Sequence, residues 1–154
     1  MRVFRQPPES QVRRMLGNAQ LPSADLTPGH LEHFFGCGSE QAPKGVVGLE
    51  IYGSEALLRS LVVDETSRGH GCGKALVAAA ERYARDCGVR RIYLLTTTAP
   101  KFFEGLGYHA LARDQAPACI RTTSEFSGLC PTSSAFMVKD LASGARPASA
   151  SGLG

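Results

Sequence analysis

The chain has 154 residues, 43% hydrophobic and 20% charged, the composition of one globular domain large enough for a real core. A formal charge of +3 without a Lys/Arg run argues against nucleic acid as a partner. No apolar run approaches the roughly 18 residues of a membrane span, and the start lacks the basic-then-apolar order of a signal peptide, so no membrane is expected and the cytoplasm is the default compartment.

In chain order, Arg2-Val3-Phe4 reads as a short first strand stopped by Pro7-Pro8. Pro8-Glu9-Ser10 opens a helix to about Asn18 with an apolar stripe of Val12, Met15 and Leu16. Leu21–Asp25 is a linker, and Thr27-Pro28 caps a second helix expected over Leu31–Phe35, with a brief strand at Phe34–Cys37 as the competing reading. Gly45–Tyr52 and Glu55–Val63 are strand-like and separated by Gly53-Ser54, a two-residue hairpin turn. That turn sets Tyr52 opposite Glu55, Glu50 opposite Leu57 and Gly48 opposite Arg59. Glu50 and Arg59 therefore share a face, as a solvated ion pair or as contacts in a cleft.

Leu61-Val62-Val63 ends at Asp64-Glu65-Thr66-Ser67, and then comes Arg68-Gly69-His70-Gly71-Cys72-Gly73, with a helical pattern opening at Lys74. A strand, a glycine-spaced loop and a helix start make an anion site, because backbone N–H groups converge where no Cβ intervenes. Arg68 and Lys74 bracket it with charge, which suits a diphosphate. A P-loop is excluded because Ala75 follows Gly73-Lys74, and the dinucleotide fingerprint because position 74 is not glycine. The helix runs to Cys87 with an expected inner stripe of Leu76, Ala80, Tyr83 and Cys87, a Glu81–Arg85 pair and a stop at Gly88. Arg91–Thr98 follows as a buried strand, parallel to the one before the helix. Then come a short helix through Phe102 and Phe103, a strand near Tyr108–Leu111, a helix over Ala118–Leu129 and a last strand over Ala135–Lys139.

Two motifs carry a resemblance. Arg68, Gly71 and Gly73 fit Arg/Gln-x-x-Gly-x-Gly/Ala, and Ala99-Pro100-Lys101-Phe102-Phe103-Glu104-Gly105-Leu106-Gly107-Tyr108 fits A-x-x-F-Y/F-x-x-x-G-F/Y. Their order and spacing resemble the GCN5-related N-acetyltransferase (GNAT) superfamily. Together with Leu57-Leu58-Arg59-Ser60-Leu61, Tyr93–Thr98 and Ala116–Met137, the chain is similar to the acetyltransferases found with arsenic-resistance genes. The resemblance implies an α/β fold, a mixed and mostly antiparallel sheet splayed at its centre with helices on both faces, spanning 1–141, with 142–154 as a disordered tail.

The resemblance also implies acetyl-CoA as co-substrate, no metal, and a small-molecule amine as acceptor, with dimerisation left open. Leu61, Val62 and Val63 would run along the pantetheine arm, and Arg68, Gly69, His70, Gly71, Cys72, Gly73 and Lys74 would hold the diphosphate. Phe102 and Phe103 would flank the arm. An α-amine near pKa 8 loses its proton at pH 7 for about 1.4 kcal/mol and a lysine amine for about 4.6. Glu50 is the candidate base. Phe103 stands where the superfamily's acid tyrosine is usual, which leaves Thr98 or Tyr108 as the nearest hydroxyl. Arg59, Ser60 and Arg121 are the candidate substrate contacts, the guanidinium groups pointing to an anionic or amino-acid-like molecule.

The five cysteines, an odd number without a C-x-x-C pair, are expected to be free thiols and not a disulfide framework or a structural zinc site. Two other classes stay open, a non-catalytic coenzyme sensor and an arsenite binder with three converging thiolates.

Overall fold

The structure is a computed structural model, and it describes residues 2–131 and 133–141. The expected tail at 142–154 lies outside the described residues. Among the described residues seven strands form one sheet in the order β1-β2-β3-β4-β5-β7-β6. They are β1 (Val3–Arg5), β2 (Phe34–Gly38), β3 (Pro43–Tyr52), β4 (Glu55–Val63), β5 (Arg91–Thr96), β6 (His109–Ala110) and β7 (Ala135–Asp140). Every neighbouring pair is antiparallel except β4 with β5. The parallel pair follows from its crossover helix, α3 (Cys72–Asp86).

Helices cover both faces, as expected. On one face α3 buries Leu76, Val77, Ala80 and Ala84 against Val47, Leu49, Leu58 and Leu94, and Phe103 of α4 (Pro100–Gly105) joins them. On the other, α1 (Glu9–Asn18) packs Val12, Met15 and Leu16 against Phe34 and Val46, and Ile120 of α5 (Ala118–Arg121) packs against Leu57, Tyr93 and Phe136. The remaining helix, α2 (Pro28–Leu31), is one turn capped by Thr27, whose hydroxyl accepts from the His30 N–H. It ends earlier than expected, and Phe34–Gly38 takes the competing strand conformation. Both phenylalanines are buried there, which a strand in the middle of a sheet achieves and an exposed helix turn does not.

The β3–β4 register matches the sequence reading: Tyr52↔Glu55, Glu50↔Leu57 and Gly48↔Arg59. Beyond Arg59 the ladder slips, since Val62, three residues on, faces Val46, two residues back from Gly48. The extra residue on β4 is a bulge, and Ser60 sits there at φ +62°. A non-glycine residue in that region costs on the order of 1–3 kcal/mol and persists where neighbours hold it. Here the Ser60 hydroxyl accepts from Arg59 Nε at 3.0 Å.

Four expectations are corrected. Cys37 and Cys72 are joined in a disulfide, leaving Cys87, Cys119 and Cys130 as free thiols among the described residues. Glu81 does not pair with Arg85. It turns inward, 6% exposed, accepting from the Tyr108 hydroxyl and from Lys139 Nζ, each at 2.9 Å. Ala84, not Cys87, completes the inner stripe of α3. The expected 118–129 helix is also broken, into α5 and a wide π turn over Glu125–Leu129, with Thr123 Oγ1 bonded back to the Ile120 carbonyl at 2.7 Å between them.

Candidate active site

Pairing between β4 and β5 stops at Leu58↔Leu94, although β4 runs on to Val63 and β5 to Thr96. From Arg59 onward the β4 edge that faced β5 has no strand partner among the described residues, and the sheet splays. A cleft of about 350 Å³ opens in the gap. Its walls are Leu58–Leu61 on β4, Leu94–Thr96 on β5 with Thr97–Ala99 just beyond it, Phe103 of α4, and a cap of Gln20–Pro22, Glu125, Leu129–Pro131 and Ser134. A second hollow of about 290 Å³ lies beyond it, where Val62, Val63 and Arg68 meet Arg14 and Asn18 of α1.

The glycine-spaced loop stands beside that hollow. A single 3-10 turn, Glu65–Ser67, leads to Arg68, whose Nε donates to the Val63 carbonyl at 3.3 Å. Gly69 and Gly71 take φ +83° and +82°, and a Cβ on either would meet open space. Glycine is required by the backbone twist, which turns the amides outward and leaves room above them. Ala75 makes the first intrahelical bond of α3, to the Gly71 carbonyl, and no side chain caps the helix. Among the described residues no protein acceptor takes the N–H groups from Gly69 to Lys74. The geometry is that of an anion cradle with full charges on Arg68 and Lys74 beside it.

The predicted coenzyme contacts form one track. Leu61 borders the cleft, Val62, Val63 and Arg68 border the hollow, and exposed Phe102 stands over Gly73, 3.4 Å from a Cβ placed there. Phe103 borders the cleft and is packed edge-on between Phe102 and Tyr108. His70 and Lys74 are exposed. Cys72 is buried at the helix start through its bridge to Cys37.

The candidate substrate residues separate. Ser60 and Arg59 border the cleft, but the Arg59 guanidinium is fully enclosed by protein. Its Nε donates to Ser60, Nη1 to Asp25 Oδ2 at 2.6 Å and Glu50 Oε2 at 2.7 Å, and Nη2 to Asp25 Oδ1 at 2.8 Å and the Pro22 carbonyl at 3.4 Å. Those five bonds use all five N–H groups. The solvated-pair reading of Glu50 and Arg59 is thereby replaced by a buried network, and Arg59 has no N–H left for an anionic guest. Arg121 is not brought to the cleft. It is exposed, and its Nη1 donates to the Ala116 carbonyl at 2.7 Å.

Of the candidate acid/base groups, Thr98 borders the cleft. Glu50 lies behind the wall with both oxygens engaged, Oε1 by the Tyr52 hydroxyl and Oε2 by Arg59. Tyr108 does not border the cleft, and its buried hydroxyl donates to Glu81 at 2.9 Å.

Sequence reasoning missed Glu125. It is 4% exposed, borders the cleft, and has Oε2 at 3.1 Å from Arg59 Nη2. Burial pushes its carboxyl up to about 7 against the pull of Arg59, with Asp25 and Glu50 adding to the rise. Asp25, by contrast, is held low, first by its hydrogen bond from Arg59 and against the effect of burial. The Cys130 thiol beside Glu125 is pushed up to about 11 by burial and by that carboxylate. No local pattern marks Glu125, because the π turn sets its direction.

Asp25, His30 and Glu50 bring ligand atoms within 4.8 Å of one another, but Arg59 already holds both Asp25 oxygens and Glu50 Oε2. A divalent ion would have to share those atoms with a fixed cation. The three free thiols do not converge for arsenite either: Cys87 ends α3 on one face, whereas Cys119 packs on the other.

Residues 5–108 match the model of the Acetyltransferase (GNAT) family. The chain belongs to the GNAT family. The outward amides and open β4 edge fit the diphosphate and pantetheine arm of an acyl-coenzyme A. No curated protein sequence matches the chain. Among solved structures it is similar to N-acetylglutamate synthase from Neisseria gonorrhoeae complexed with coenzyme A and N-acetyl-glutamate, with 19% identity, a TM-score of 0.74, and coverage of 92% of this chain and 36% of that one. It therefore spans about a third of the synthase. It is also similar to Rv2747 from Mycobacterium tuberculosis in complex with CoA and NLQ, at 19% identity and TM-score 0.74, covering 91% of this chain and 99% of that one. A Staphylococcus aureus GNAT acetyltransferase matches at 15% identity and TM-score 0.69 over 92% and 99% of the two chains. At these identities the likeness is one of fold. No helix among the described residues is long and apolar enough to cross a membrane.

Proposed function

We propose that this GNAT chain acetylates the amine of a small, amino-acid-sized molecule in the cytoplasm, and that its physiological setting is resistance to arsenic or to a toxic amino-acid analogue. The observation that carries the reading is the end of β4–β5 pairing at Leu58 and Leu94, which opens a cleft of about 350 Å³ next to a loop of unclaimed amides. That volume is at the small end of ligand sites. The synthase neighbour, crystallised with an N-acetylated amino acid, supports the size class.

In this reading acetyl-CoA supplies the thioester. The amides of 69–74, with Arg68 and Lys74, hold the diphosphate, and the unpaired edge of Leu61 and Val63 bonds the arm. Phe102 and Phe103 keep water from it. Thr98 is the hydroxyl offered to the departing sulfur, and a thiol of pKa near 8.5 needs little help to leave. Glu50 acts from behind the wall by holding Arg59. The sequence likeness to arsenic-resistance acetyltransferases is what supports the resistance role.

Thiol release from acetyl-CoA against a panel of amino acids, their analogues and simple amines tests this. Turnover with a molecule of amino-acid size is expected. Acetyl-CoA binding without turnover of any amine would leave a coenzyme sensor.

A further inference from the structure

Glu125 opens the π turn that roofs the cleft, and π turns recur at functional sites. Charged and titratable groups face it from every side: Arg59 from β4, Glu50 from β3, Asp25 from the linker before α2, and the Cys130 thiol from the end of its own turn. Three carboxylates share one guanidinium. Arg59 and Glu125 are the only charged residues among the described residues bordering the cleft. Arg59 directs its hydrogen bonds at Asp25, Glu50, Ser60 and Pro22 and meets Glu125 only as a close charge. A guest carboxylate thus finds no free cation there, whereas an ammonium finds a carboxylate. On the same wall Ser134 is 6% exposed, and its Oγ has no hydrogen-bond partner among the described residues. An orphaned buried hydroxyl is costly unless a ligand uses it.

We propose that Glu125 is the catalytic base, its carboxylate taking the proton of the acceptor ammonium beside Ser134 Oγ, with Arg59 as the positioning residue. This rests on the transferase reading. One ammonium proton passes to Glu125 and on to water. The neutral nitrogen forms a bond to the acyl carbon as the carbon–sulfur bond breaks. The second nitrogen proton balances the thiolate, which leaves as the coenzyme A thiol. A carboxyl pushed up to about 7 by burial is well matched to this proton transfer. For an α-amine near pKa 8 the step is unfavourable by only about tenfold.

The test compares Glu125→Gln with wild type using two small probes, ethylamine, which is cationic at pH 7, and hydroxylamine, which is already mostly neutral. Thiol release with ethylamine should fall by about 10²- to 10⁴-fold in Glu125→Gln, the size of general-base catalysis. Release with hydroxylamine should fall by less than about tenfold. Glu125→Asp should keep an acidic limb in the pH–rate profile that Glu125→Gln lacks. Acetyl-CoA calorimetry on each variant shows that the fold is retained. Equal loss with both probes, or no loss with ethylamine, overturns the assignment. Failure of wild type with every amine sinks the transferase reading instead. Carboxyl NMR of ¹³C-glutamate protein with coenzyme A bound is the second readout on an active wild type: a resonance titrating near 7 and absent from Glu125→Gln supports the assignment, and a midpoint below about 5 rejects it.

Discussion

The guanidinium of Arg59 and the carboxylate of Asp25 form a two-pronged pair, Nη1–Oδ2 at 2.6 Å and Nη2–Oδ1 at 2.8 Å, that ties the central strand to the linker over the cleft. The pair anchors a network in which Glu50 and Glu125 share the same cation. Breaking a buried pair from one side costs about 3–5 kcal/mol, because the partners stay buried and unpaired. Arg59→Met should therefore lower the free energy of unfolding by at least that range in urea titrations at pH 7. Arg59→Lys should recover little, since an ammonium cannot make the fork. The loss should shrink as pH falls below 7, where Glu125 takes up a proton and one abandoned charge disappears. A loss under about 1 kcal/mol at pH 7 would mean that the network is solvated.

Asp25 and Glu125 bend the stability curve in opposite senses. The Asp25 carboxyl is lowered in the fold, so its contribution is present above its unfolded pKa near 3.8 and is lost as pH falls below that. The Glu125 carboxyl is raised from 4.5 to about 7, so the native state binds the extra proton and stability falls as pH rises from about 4.5 to 7. The full span is on the order of 3 kcal/mol. Glu125→Gln should remove that slope, leaving the variant close to wild type at pH 5 and more stable at pH 8. Thermal unfolding across pH 4–9 reads this directly, and parallel curves for the two proteins would contradict it.

Much of this was legible in the chain because it is local. The Gly53-Ser54 turn set the β3–β4 register, Thr27-Pro28 marked a helix start, and the 68–74 spacing located the amide loop before any contact was known. What stayed hidden depends on distant partners or on a break in regularity. Glu81 sits at i,i+4 from Arg85, yet Tyr108 and Lys139, far along the chain, take it inward. The bulge at Ser60 changes which residues face the splay, and no residue type announces it. Ala118–Leu129 has helical periodicity, but the break at Thr122–Ser124 swings Glu125 into the cleft. Arg59 looked like an anion receptor because its type was visible and its three carboxylate partners were not.

The Cys37–Cys72 bridge closes a loop of 35 residues and fixes the start of α3 to β2. Constraining the unfolded chain over that span is worth roughly 3–4 kcal/mol. Dithiothreitol should lower the unfolding midpoint of the wild type and leave a Cys37→Ala/Cys72→Ala variant unmoved. Equal midpoints of oxidised and reduced wild type would show that the bridge contributes nothing.

Gly71 holds the loop at φ +82° with open space where a side chain would project. Alanine there meets no clash but carries the left-handed penalty of roughly 1–2 kcal/mol, and its methyl would stand in the anion's approach. Acetyl-CoA calorimetry on wild type and Gly71→Ala tests the central claim most directly, that the amides from Gly69 to Lys74 grip the coenzyme's diphosphate. One-site binding by wild type, weakened about tenfold or more in Gly71→Ala, is the predicted result. No heat with wild type, or equal affinity in the two proteins, would contradict it.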